Sequence, residues 1–396
     1  MRPSRAAALA SGILALAAAV GLTVPLRAAA PVPGVLDRWL RDSRLGPYTE
    51  PRFDEDALYR QARQEGSVTV YSYSSRIAVV ARTFQQRYPG IKVNWFDIDG
   101  AEILTKVLAE QRARNYLADV IFLIGMPELV HLLAPRGMVV NYVPPDLVTK
   151  IPRRYREPFL SHQLNFRVIY YNPERSATPP VDNLWDLTQP EWRGRVLFPD
   201  PLKLPEFLAY LVMVTVRHED MARAHRAKYG PLTLGPGVEN AGYEWIRRLL
   251  QNGVVVVPSP DAVVEAVGRA GQARPPVGIS AWSLMRLKER NPALQVDVAL
   301  SVEPVAAVSD RAVIAIPAFA PHPAAAKLFI RWLMGDEKGG GGFAPYHIVG
   351  HLPARADVPP PRGMPLPHQL KFWDPDHSAI WTHSAKVRDF WIRHLR

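Results

Sequence analysis

The chain of 396 residues contains no cysteine. That excludes disulfides and thiolate metal sites, and it excludes a lipid anchor attached through an N-terminal cysteine. A chain this long buries enough surface to do without cross-links, and its length suits two domains. Long apolar runs are scarce. Beyond residue 24 no segment approaches the roughly 20 apolar residues that a membrane-spanning helix needs. No phosphate-cradling glycine motif occurs either, because Gly339 to Gly342 lack the Lys-Ser/Thr partner. The basic residues are scattered and no nucleic-acid-binding motif accompanies them. The net charge of +11 therefore points to solubility or to an anionic ligand or partner.

What is present is a globular composition, 48% hydrophobic and 21% charged, with 39 prolines. That proline share is about twice the usual roughly 5% and implies many rigid turns. At the N-terminus, Arg2 and Arg5 precede an apolar run from Ala6 to Val24, then Pro25 and Ala28-Ala29-Ala30. This is the order of a cleavable secretory signal, so residues 1–30 are expected to be a signal peptide. An uncleaved anchor is the competing reading. The run is mostly alanine and is broken by Ser11, Gly12 and Gly21.

Periodicity then predicts β-α-β-α-β-α: strands at 68–71, 91–96 and 119–124, with helical spacing at 77–88, 103–108 and 127–134. A looser repeat follows, with strands at 168–171, 196–198, 254–257 and 277–280 and helices at 207–229, 239–250 and 262–270. The spacing predicts a helix over 324–334, a flexible Gly339–Gly342 loop and a terminal helix packed by Trp381, Phe390 and Trp391. The fold class is α/β, with two lobes that each carry a mainly parallel sheet flanked by helices. In open parallel sheets ligands sit beyond the carboxyl ends of the strands, where helix N-termini offer free N–H groups. Candidate ligand residues by that rule are Tyr71, Ser72, Tyr73 and Ser74 after the first strand and Gly125 after the third. Asp200, Ser259, Ser280 and Trp282 follow later strands, and Asp310 precedes the late strand at 312–316. Each of these positions also reads as ordinary turn or capping chemistry.

The stretches EGSVTVYSYSS, FQQRYPGIKVNWF and LADVIF, followed by VIYYNPE, NLWDLTQPEWRGRVLFPDP, ARPPVGISAW and APHPAAAKLFIRWLM, resemble periplasmic solute-binding proteins of ABC importers. The nearest group is the one that contains ferric-iron-binding proteins. The resemblance runs from Gly66 to Phe343 and implies a type II two-lobe architecture. It places 66–167 with 302–345 in one lobe and 168–301 with 346–396 in the other. It implies a periplasmic carrier that closes on a small molecule and delivers it to an ABC permease with its ATPase.

The departures shape the expected ligand. Iron-binding members resemble one another in holding the metal by a tyrosine pair with histidine or glutamate. Here the tyrosine positions hold Ser280, Ala281 and Trp282, the histidine position holds Ser74 and Ser75, and the glutamate position holds Ile124 and Gly125. None supplies a hard anionic oxygen ligand. Tyr170-Tyr171 lies within a strand and is a poor substitute, and Tyr71 and Tyr73 are the remaining phenolate candidates. No metal and no cofactor is expected. Hydroxyls and aromatics instead suit a small organic, anionic ligand. A ferric-iron carrier, an accessory of a sensor receptor and an exported enzyme are the alternatives.

Enzyme motifs are incomplete. Gly278-Ile279-Ser280-Ala281-Trp282 begins like a nucleophile elbow but lacks the second glycine. His218-Glu219 begins like a zinc-protease helix, but its fifth position is Ala222, and His225 lies about 10 Å further along the axis. No catalytic residue is expected.

Overall fold

The computed structural model describes residues 34–395, so the expected signal segment lies outside the described residues. Helix α1 (Val35–Asp42) precedes the first predicted strand. Helix α2 (Glu55–Glu65) starts where the Asp54 side chain accepts from the Ala57 N–H at 2.9 Å. It ends where Gly66 takes a left-handed φ of 76°. Strand β1 (Ser67–Ser72), helix α3 (Ile77–Arg87), strand β2 (Lys92–Asp97), helix α4 (Gly100–Ala113) and strand β3 (Val120–Ile124) then follow in the expected order. Strands β1 and β2, and β1 and β3, pair in parallel.

The later strands are β4 (Val139–Val140), β5 (Leu160–Tyr171), β6 (Val196–Pro199), β7 (Val255–Val257), β8 (Val277–Ala281), β9 (Asp297–Ala299), β10 (Ala307–Pro317), β11 (His351–Pro353) and β12 (Phe372–Trp373). Their main helices are α5 (Pro205–Val216), α6 (His218–Tyr229), α7 (Ala241–Gln251), α8 (Pro260–Val267), α9 (Pro323–Leu333) and α10 (His377–His394). The single helix expected over 207–229 is broken at Arg217. The segment expected as a helix at 127–134 is a series of short turns, one of them π-helical. The glycine run at 339–342 is not a free loop. It leads into a tight turn that buries Phe343 and Tyr346.

Twelve strands form one sheet, with the main order β2-β1-β3-β10-β5-β8-β6-β7. The two expected sheets are therefore continuous. Two parallel groups, β1–β3 and β6–β8, are joined by the long antiparallel pair β5 and β10. Every residue of β5 is buried, as a strand flanked by others on both edges and covered on both faces must be. On the β1–β3 side Phe84 of α3 meets Phe329 of α9 at 5.2 Å. On the β6–β8 side Trp185, Trp245, Phe207 and Trp391 are fully buried in a separate cluster.

The C-terminal segment ties the halves together. β11 pairs with β5 over Gln163–Asn165, and β12 pairs with β10 at Ala307 and Val308. Helix α10 packs on α5 and α7 and also reaches residues 126–128 at the end of β3. Trp381 of α10 stacks on His131 at 5.5 Å with a 15° interplanar angle. Among the described residues no helix is long and apolar enough to cross a membrane.

Candidate functional site

Side chains alternate along a strand, so Gln163, Asn165 and Arg167 share one face of β5. The register sets Asp310 of β10 opposite Asn165 on that face. The Asn165 amide donates to Asp310 Oδ1 at 2.8 Å, and Arg167 Nη2 lies 2.5 Å from Asp310 Oδ2. That ion pair is close but poorly aligned, since Oδ2 has no hydrogen-bond partner of good geometry. The Gln163 amide donates to the Tyr73 hydroxyl at 3.3 Å, and the Tyr73 ring meets Phe122 edge-on at 5.2 Å. Burial raises the Tyr73 hydroxyl pKa, so Tyr73 stays a neutral phenol. A polar row thus runs along the two crossing strands, between the parallel groups.

At one end of the row lies a cavity of about 60 Å³. Gly125 and Glu128 wall it from the end of β3, Arg167 and Asp310 from the crossing strands, Glu206 from the first turn of α5, and His377 from α10. Arg167 is 5% exposed, its guanidinium sits 5.3 Å from the Phe207 ring, and its Nε has no partner. Burial pushes the carboxyl pKa of Glu206, Glu128 and Asp310 up, with Arg167 opposing the shift at Glu206 and Asp310. His377 is pushed down to about 3 by burial and by Arg311, and neither ring nitrogen has a partner. Arg311 itself is spoken for by Asp374 at 2.6 Å and by the Arg154 carbonyl at 2.6 Å.

Of the ten residues expected from sequence, Gly125 and Asp310 line this cavity and Tyr73 joins it through the polar row. The other seven are held elsewhere. Tyr71 faces α4, where its hydroxyl donates to Glu110 at 2.7 Å. The Ser72 hydroxyl donates to the Ser74 carbonyl and accepts from the Ser74 N–H, both at 3.1 Å. Asp200 accepts from the Leu202 N–H in a turn, and Ser259 caps α8 through the Ala262 N–H. The Ser280 hydroxyl donates to the Pro260 carbonyl at 2.8 Å. Trp282 is 2% exposed and packs against Phe166.

The space beyond the ends of β1 and β8 is filled by the chain's own C-terminal segment. Tyr346 packs on Phe122 and His162, and the Arg76 guanidinium lies 5.8 Å from the Tyr346 ring. Gly350, at φ 91°, approaches the end of β8 so closely that a Cβ would lie 2.3 Å from Ser283 N. Among the described residues no three His, Asp or Glu side chains are grouped to hold a metal ion.

The residues missed from sequence are Gln163, Asn165, Arg167, Glu128, Glu206 and His377. The first three carried a signal. In LSHQLNFRVIYY, polar Gln163, Asn165 and Arg167 alternate with apolar Leu164, Phe166 and Val168, the pattern of a strand with one polar face inside a core.

A family model described as "Bacterial extracellular solute-binding protein" matches residues 68–339. No curated protein sequence matches the chain. Iron-bound HitA from Pseudomonas aeruginosa is similar in structure, with a TM-score of 0.63 at 17% identity, over 83% of this chain and 99% of that one. Apo ferric ion-binding protein A from Pasteurella haemolytica is similar at a TM-score of 0.63 and 18% identity, over 83% and 98% of the two chains. The substrate-binding protein of an ABC transporter from Agrobacterium tumefaciens gives a TM-score of 0.63 at 16% identity, over 83% and 94%. The shared architecture is the type II periplasmic-binding-protein fold.

Proposed function

The chain belongs to the bacterial extracellular solute-binding proteins, and on that premise we propose that it is the periplasmic carrier of an ABC importer for a small organic molecule with an anionic group. It performs no chemistry of its own. Residues 66–167 with 302–345 form one lobe and 168–301 with 346–396 form the other, and the crossing strands β5 and β10 act as the hinge. Ligand contacts to both lobes favour the closed form by their differential affinity for it, and the closed form docks on a permease with its ATPase.

The observation that carries the ligand class is Arg167. Arg167 lines the cavity, is 5% exposed and, among the described residues, has Asp310 as its one ion-pair partner. A buried guanidinium with more donors than its one carboxylate meets is costly, and an incoming carboxylate or phosphonate oxygen offsets that cost. The second reading is a ferric-iron carrier, since the Pasteurella protein is a ferric ion-binding protein and the Pseudomonas HitA structure is iron-bound. A sensor accessory would bind the same ligand and dock on a receptor instead of a permease. Native mass spectrometry with metal analysis, on protein purified from its own periplasm, separates the ligands. A small organic mass supports the proposal. Stoichiometric iron overturns it.

A further inference from the structure

The C-terminal helix touches both parallel groups of the sheet, and the two contacts differ in kind. From Val387 onward α10 is set into the core beside β6 and β8. Val387 and Trp391 are fully buried, Trp391 lies 5.8 Å from the Phe198 ring, and Phe390 packs on Tyr243 of α7 at 4.8 Å. The first turn of the helix reaches the other group. Asp376 caps it through the Ala379 N–H at 2.9 Å, and His377 and Ile380 share the cavity wall with Gly125 and Met126. Beside that wall the Trp381 ring stacks on His131, at 5.5 Å and 15°, in the π-helical turn Leu129–Leu133 that follows β3. Trp381 is 43% exposed, so this ring lies on the surface, unlike the buried rings at the far end of the helix. His131 Nε2 has no hydrogen-bond partner, so that nitrogen adds nothing to the stack.

Building on the proposed lobes and hinge, in which His131 and Trp381 belong to different bodies, we infer that the His131–Trp381 stack is a latch that biases the two lobes toward the closed form before any ligand binds. Helix α10 is anchored in one lobe by buried aromatics, so it cannot follow the other lobe when the two part. The contact that yields is the exposed stack. A contact made in only one of two states shifts their balance by its own free energy and no more. A stacked aromatic pair therefore supports a bias of about 2- to 10-fold. That is enough to favour closure and too little to lock the crevice, which leaves the remaining shift to the ligand.

The chain has no cysteine, so Gln86→Cys in α3 and Ala227→Cys in α6, both at exposed positions, supply its only two thiols for spin labels. Pulsed electron-spin distance measurement on the mature chain, dialysed free of ligand, then reads the separation of the lobes. Trp381→Ala and His131→Ala are each expected to raise the ratio of the longer to the shorter distance about 2- to 10-fold. The double variant is expected to raise it no further than either substitution alone, and Trp381→Phe, which keeps a ring to stack, to restore most of the original ratio. General loosening of the fold would not give that pattern, because independent losses add. Effects of the two single substitutions that add in the double variant overturn the latch. Two distances whose ratio ignores every variant overturn the latch and leave the hinge standing. A single distance that no variant changes overturns latch and hinge together.

Discussion

The crevice beside β5 and β10 has two ends that look alike in sequence, each with hydroxyls, aromatics and an arginine at strand ends, and they differ in how their polar groups are met. At the β1–β8 end Ser72 and Ser74 bond to each other, Ser280 bonds to Pro260, and the Tyr170 hydroxyl donates to the Ala281 and Trp282 carbonyls at 2.9 Å. The Tyr346 hydroxyl is the exception there. At the β3–α5 end, Arg167 Nε, Asp310 Oδ2 and both His377 nitrogens have no partner. Buried polar groups are normally satisfied within the protein, so this contrast is what supports the second end as the proposed ligand site.

The largest test of that contrast is Trp282→Ala. A buried tryptophan packed on Phe166 should cost about 3–5 kcal/mol in urea denaturation, with any loss of ligand binding following from the lost stability alone. If stability is unchanged and ligand affinity collapses, the closed end is the ligand wall after all. Nearly as large is Asp310→Ala, which strands the Arg167 charge inside and should cost about 3 kcal/mol or more. Combining Arg167→Met with Asp310→Leu should recover most of that stability while leaving the protein unable to bind its ligand by calorimetry.

Acid should weaken both ends. Burial holds His162 down at about 4, and His351 at the packed end and His377 at the open end down at about 3. Arg76 reinforces the effect at His351 and Arg311 at His377, and the Leu333 carbonyl opposes it at His162. Each folded value lies below the unfolded value of about 6.5, so the unfolded chain takes up protons first as pH falls. The contribution of these imidazoles is therefore full above about pH 6.5 and declines toward pH 4, at up to about 1.4 kcal/mol per pH unit for each, while the buried Glu128, Glu206 and Asp310 carboxyls, raised by burial, act with the opposite sign. NMR titration of the imidazoles between pH 7 and 4 isolates their part, and titration near the ordinary value of about 6.5 would mean that they are solvated. The smallest effect belongs to Ser72→Ala. It removes one local hydrogen-bonding hydroxyl and should cost about 1 kcal/mol without changing ligand affinity.

Much of the architecture was legible because its signals are local. The apolar period of Ile77, Val80 and Phe84 names a helix, and VIFLI names a buried strand wherever it packs. Where local signals mislead, a tertiary contact decides. The polar alternation at 163–167 sits in a fully buried strand because Asp310 and Tyr73 meet it from distant segments. The Gly339–Gly342 run is fixed in a turn that seats Phe343 and Tyr346 in the core.

The order of strands and helices, and with it the two-sided crevice, followed from hydrophobic spacing that each segment carries by itself. Which end of that crevice stays open did not, because it depends on whether residues hundreds of positions apart satisfy one another. Tyr346 to Pro353 pack over the end at Ser72 and Trp282, while Gly125, Arg167 and Asp310, from three distant segments, line a cavity at the other. Hydrogen-bond and charge balance are sums over all neighbours, and only the folded chain brings those neighbours together.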